Sequence, residues 1–92
     1  MPQGVLVRVQ SWAPMFFVYA IRSLTRNYVY VGLSNDYERR VNEHNEGYER
    51  TTKPYRPFEI ILVEEFPTRP EERKREKYLK SGVGKAYLKS LK

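Results

Sequence analysis

Two short runs constrain the fold more than anything else in the chain. Phe16 to Ile21 and Tyr28 to Leu33 are each six residues long, dense in aromatic and β-branched side chains, and too short for a buried helix. They read as buried strands. Between them Ser23-Leu24-Thr25-Arg26-Asn27 supplies a hairpin connection, because Asn tolerates the positive φ of a tight turn. A turn centred between Leu24 and Thr25 sets Tyr19 directly opposite Tyr30, with Cβ atoms ~5 Å apart on one face. Tyrosine favours strands in any protein, so this pair alone fits plain packing as well as a shared site.

Gly32 is expected to close the second strand. Asn35-Asp36-Tyr37-Glu38 then opens a helix as a capping box, with Asn35 at the N-cap, and Gly47 ends it in the left-handed region. The stripe at helical spacing is Tyr37, Arg40, Val41 and His44, a poor packing face because Arg and His interrupt it. Either the helix is lightly packed with Arg40 and His44 solvated, or both project into a polar site beside the tyrosines. Glu46 to Pro57 is polar and carries two prolines, so it reads as a loop. Its Arg50, Lys53 and Arg56 suit phosphates, and its Tyr48 and Tyr55 suit base stacking. Phe58 to Phe66 is a third strand. Thr68-Arg69-Pro70-Glu71 starts a helix that runs to about Lys80, with Pro in its first turn. Gly82-Val83-Gly84 breaks it before a short last helix. The expected fold is a small α/β (α+β) sandwich, a three-stranded, mainly antiparallel sheet flanked by helices.

Ninety-two residues hold one domain, and one this small buries only ~60% of its unfolded surface. The absence of cysteine excludes disulfides and thiolate metal sites, and makes the cytoplasm the expected compartment. No apolar run approaches the ~20 residues of a membrane span, and the first residues lack a secretion signal's apolar core. Lys and Arg number 17 against 11 acidic residues, a net charge of +6. Much of the excess lies between Arg69 and Lys92, where nine basic residues face three glutamates. Such a balance concentrates polyanions, of which nucleic acid is the commonest, although a merely soluble basic surface has the same composition.

Residues 1 to 14 read as an extension outside the domain, which spans 15 to 92. Val7 to Pro14 could be encoded by a sequence resembling a transfer-RNA T arm and 3′ end, with Arg8-Val9 from CGA-GTC and Pro14 from a terminal CCA. On that reading it is upstream DNA translated as protein and Met15 is the natural start. The alternative is an ordinary, loosely ordered N-terminal extension.

From Phe16 to about Lys89 the chain resembles the GIY-YIG nuclease family, and most of all its small standalone members. Phe17-Val18-Tyr19 is similar to the first motif, with Phe in place of Gly, and Tyr30-Val31-Gly32 to the second, with Val for Ile. Arg40, eight residues beyond Gly32, falls on the family's catalytic arginine, and His44 falls where the family carries Tyr or His. Glu76 matches the glutamate that holds the divalent metal. Leu33 stands where repair-type members carry lysine, which implies a weaker hold on phosphate.

The resemblance implies a metal-dependent endonuclease that hydrolyses phosphodiester bonds in duplex or branched DNA, as a monomer or weak dimer. A non-catalytic nucleic-acid-binding module of the same fold is the alternative. Its implied catalytic set is Tyr19, Tyr30, Arg40, His44 and Glu76, with Glu76 holding Mg²⁺ or Mn²⁺. Arg39, Lys53, Arg56, Lys74, Lys77 and Lys80 are the expected nucleic-acid contacts. The chemistry suits these residue types. Phosphodiester cleavage gathers negative charge on the non-bridging oxygens, which a permanently charged, bidentate guanidinium stabilises more in the transition state than in the ground state. One carboxylate suits Mg²⁺ or Mn²⁺, which keep several waters. A phenol near its ordinary pKa of ~10 is a poor base, so a tyrosine activating water needs help from its neighbours. Tyr19 is the first choice for that work, Tyr30 orients water or phosphate, and His44 either shares the base role or contacts phosphate.

Overall fold

The computed structural model describes residues 15–91, so both expectations for the stretch before Met15 lie outside the described residues. Three strands, β1 (Phe16–Ser23), β2 (Val29–Ser34) and β3 (Phe58–Phe66), form one antiparallel sheet in the order β2-β1-β3. Three helices, α1 (Tyr37–Glu46), α2 (Arg69–Lys80) and α3 (Gly82–Ser90), flank it. This is the α/β architecture expected from the sequence. None of these helices is long and apolar enough to cross a membrane.

Alternation along β1 sorts the core into two halves. Val18 and Ala20 face Leu79 of α2 and Leu88 of α3, together with Val31 of β2. Tyr19 and Ile21 point the other way, toward Val41 of α1 and Phe58 of β3. A bulge in β3 lets that strand serve both faces. Ala20 pairs with Leu62 but Ile21 pairs with Ile60, which leaves Ile61 as the extra residue. Ile61 and Leu62 therefore both join the α2 and α3 side, while Val63 and Phe58, an odd number of residues apart, share the α1 side.

The hairpin register differs from the one expected. Tyr19 pairs with Gly32, and Tyr30 pairs with Ile21. The turn sits one residue further along because Ser23 ends β1 and organises the connection. Its Oγ accepts from the backbone N–H of Thr25 (3.1 Å) and Arg26 (3.0 Å), and its own N–H donates to the Tyr28 carbonyl at 2.9 Å. A slip of two residues preserves the face, so Tyr19 and Tyr30 become diagonal neighbours. Gly32 lies inside β2, which continues to Ser34.

Three smaller expectations also shift. Asp36 is the N-cap of α1, accepting from Arg39 N–H at 3.2 Å, so the cap stands one residue beyond Asn35. The Asp36 N–H is meanwhile held by Ser34 Oγ at 2.8 Å, which fixes the entry to the helix. Lys53–Tyr55 forms a single 3-10 turn in what reads as plain loop. Gly82 and Gly84 lie in the first turn of α3, because Ser81 ends α2 and caps α3, taking the Gly84 N–H at 3.2 Å. Gly47 and Thr68 cap their helices as expected, Gly47 at φ 84°.

Candidate active site

Four of the five expected catalytic side chains come together on the α1 face of the sheet. Tyr19 and Tyr30 project from adjacent strands with ring centroids 6.3 Å apart. Val41 anchors α1 against this face, and the helical spacing then turns His44 inward and leaves Arg40 half-buried at the margin. The His44 ring lies 6.1 Å from that of Tyr19 and 4.7 Å from that of Tyr30. Phe17 packs against Tyr37 of α1 at 5.2 Å, so the bulky residue in the first motif helps to hold the helix in place.

Gly32 explains how a ring as large as Tyr19 fits. A Cβ at this position would lie 2.5 Å from the Tyr19 oxygen and 2.6 Å from its ring, so the phenol lies directly over bare backbone. The hydroxyl then reaches His44 Nε2 at 3.1 Å. On the far side of the imidazole, Nδ1 is 2.9 Å from the Thr52 hydroxyl. Tyr19, His44 and Thr52 are all buried.

Burial, reinforced by Tyr30, pushes the Tyr19 phenol up to about 12, although the neighbouring Arg40 cation pulls in the opposite direction. Tyr19 is thus a neutral hydroxyl at ordinary pH. Burial and then Arg40 push His44 below its usual value, so the imidazole is neutral as well. Arg40 is bonded to Glu43 at 2.6 Å and Glu49 at 3.2 Å, and the Glu43 contact above all raises its pKa and keeps it charged.

Glu76 comes from the other side. It lies on α2, whose Leu79 packs on the opposite face of the sheet, and its carboxylate accepts from Lys80 Nζ at 2.9 Å. A groove of about 230 Å³ runs round the open edge of β2 and is lined by Tyr30, Lys80 and Lys85 with Tyr28, Val29 and Val31. Its lining includes Tyr30 of the tyrosine cluster and Lys80, the ion-pair partner of Glu76. No group of three acidic or histidine side chains among the described residues is arranged to enclose a metal. Glu76 is a lone, partly exposed carboxylate whose partner is a lysine, which fits Mg²⁺ or Mn²⁺ completed by water and substrate oxygens.

The expected nucleic-acid contacts divide by position. Arg39 is exposed on α1 but paired with Asp36 and Glu43, and Lys53 and Arg56 are exposed on the loop. Lys74 and Lys77 are exposed on α2, on the side opposite Glu72 and Leu79, and so face away from the cluster. Tyr55 is not a free stacking surface. Its ring lies parallel to that of Tyr28 at 3.9 Å and under Arg26 at 5.7 Å, whereas Tyr48 is open to solvent. Three residues of the site escaped the sequence reading. Thr52 and Glu49 sit in a polar loop with no pattern to mark them and gain partners only when the loop packs against α1, whereas Glu43 pairs with Arg39 and Arg40 of its own helix at spacings the sequence does display.

A tyrosine-bearing hairpin backed by an Arg and His helix, with one carboxylate on the helix after the third strand, is the arrangement of a GIY-YIG domain. The chain belongs to that family: the model described as the GIY-YIG catalytic domain matches residues 15–89. It is also 37% identical over 65 residues to UPF0213 protein YazA of Bacillus subtilis (strain 168). That match covers 70% of this chain and 65% of YazA, slightly under two thirds of the relative's length. The family is generally one of nucleases that act on DNA and depend on a divalent metal.

Proposed function

We propose that this chain is an endonuclease that hydrolyses DNA phosphodiester bonds in the cytoplasm with Mg²⁺ or Mn²⁺. The observation that carries the reading is the 3.1 Å contact between the Tyr19 hydroxyl and His44 Nε2, made beside the Arg40 guanidinium. A neutral phenol with so high a pKa cannot act as a base by itself at neutral pH. Backed by His44, it becomes a relay. The attacking water loses its proton to Tyr19 Oη while the Tyr19 proton passes to His44 Nε2, and no free phenolate forms. Arg40 stabilises the charge that develops on the non-bridging oxygens, turning from Glu43 and Glu49 to the phosphate. Tyr30 orients the water from the adjacent strand. Glu76 would hold the metal, whose positive charge would favour departure of the leaving oxygen.

Cleavage of duplex, branched and single-stranded DNA with Mg²⁺ or Mn²⁺ tests the proposal. Arg40→Ala and Glu76→Ala are expected to lower the rate by about 10²-fold or more, and chelation to abolish it. Wild-type protein that binds DNA and cuts none of these substrates would replace the reading with that of a binding module. Variants that cut as well as wild type would overturn the assignment of the two residues.

A further inference from the structure

We infer that Thr52 is a positioning residue, whose hydroxyl selects the tautomer of His44 that can accept the Tyr19 proton. The consequence for cleavage rests on the proposed nuclease function; the hydrogen-bond argument does not. A neutral imidazole has one N–H and one bare nitrogen, and each hydroxyl has a single proton. With Thr52 Oγ1 2.9 Å from Nδ1 and Tyr19 Oη 3.1 Å from Nε2, two arrangements are possible.

In the first, Thr52 gives its proton to the Glu49 carbonyl, 3.4 Å away, and accepts from Nδ1–H. Nε2 is then bare and takes the Tyr19 proton. In the second, Thr52 donates to Nδ1, and Nε2–H donates to the Tyr19 oxygen. The Tyr19 proton would then have no hydrogen-bond acceptor among the described residues, since His44 is the one side chain bonded to its oxygen. Leaving a buried donor unmade is costly, so the first arrangement is selected. The Thr52 hydroxyl shares the Glu49 carbonyl with two backbone donors and makes the longest of the three bonds, while the turn fixes where the hydroxyl stands. Thr52 N–H and Lys53 N–H donate to the Glu49 carbonyl at 3.3 and 2.9 Å, and Tyr55 N–H donates to the Thr52 carbonyl at 2.9 Å. Glu49 also bonds Arg40 through its carboxylate, so one short loop orients both the relay and the cation.

His44 is the chain's one histidine, so ¹⁵N NMR of the labelled full-length protein reads its tautomer without ambiguity. Wild type is expected to show a protonated Nδ1 and a bare Nε2. Thr52→Val, close in shape and lacking the hydroxyl, is expected to move the population toward Nε2–H, and Thr52→Ser to restore it. In the cleavage assay Thr52→Val is expected to lose about tenfold or more in rate, again restored by Ser. A wild-type Nε2–H tautomer overturns the inference, as does a Thr52→Val protein with the wild-type tautomer. If the tautomers behave as stated and no DNA is cut, the nuclease reading fails and the role of Thr52 in holding His44 stands.

Discussion

The narrowest requirement of the site falls on a residue with no side chain. Because the Tyr19 phenol lies over Gly32, Gly32→Ala drives a methyl group into the ring and forces it off His44. The expected outcome is a folded protein about 1–3 kcal/mol less stable, measured by urea denaturation, with most of its cleavage lost. A control, Gly82→Ala in the first turn of α3, where an added Cβ meets nothing, should leave cleavage unchanged and raise stability by up to about 1 kcal/mol. Single residues were also where the sequence was most and least informative. Tyr19, Tyr30, Arg40 and His44 were legible because the family resemblance decided between readings that strand and helix periods had left open, a shared site or plain packing. Thr52 was not, since a threonine in a polar loop carries no periodicity and gains meaning only when the loop folds back onto His44.

At the scale of elements, α2 carries a cost in its buried stripe. Glu72 is almost fully buried, and its Oε1 has no hydrogen-bond partner among the described residues. Burial and then Glu76 raise its pKa, against the pull of Arg69 and Arg73. A raised carboxylate pKa means that the unfolded chain ionises first. The penalty is absent at pH values below the unfolded pKa, grows as pH rises through it, and levels off above the folded pKa. Glu72→Met is therefore expected to stabilise the protein by about 1 kcal/mol at pH 7 and by less at pH 4, read from denaturation midpoints at the two pH values. The strands and helices themselves were legible, β3 to the residue, since their periods are strong. Their joints were not. The hairpin register turned on the Ser23 hydroxyl, and the break between α2 and α3 on Ser81, which caps both. A hydroxyl choosing among nearby backbone groups leaves no trace in a hydrophobic pattern.

For the whole molecule, the strand order decides which surface meets nucleic acid. The groove round β2 is lined by Tyr30, Lys80 and Lys85, so a bound backbone is expected to follow those two lysines and to miss Lys74 and Lys77. Anisotropy titrations across a salt series should show the Lys80→Ala, Lys85→Ala double variant losing about 2 units of log–log salt slope. The Lys74→Ala, Lys77→Ala pair should lose less; an equal loss would place the track elsewhere. The same order has a dynamic consequence. β1 is hydrogen-bonded on both sides, while β2 has a neighbour on one side only. Fraying is therefore expected to begin in the outer strand, which carries Tyr30 and Gly32, while β1, which carries Tyr19, is held from both sides.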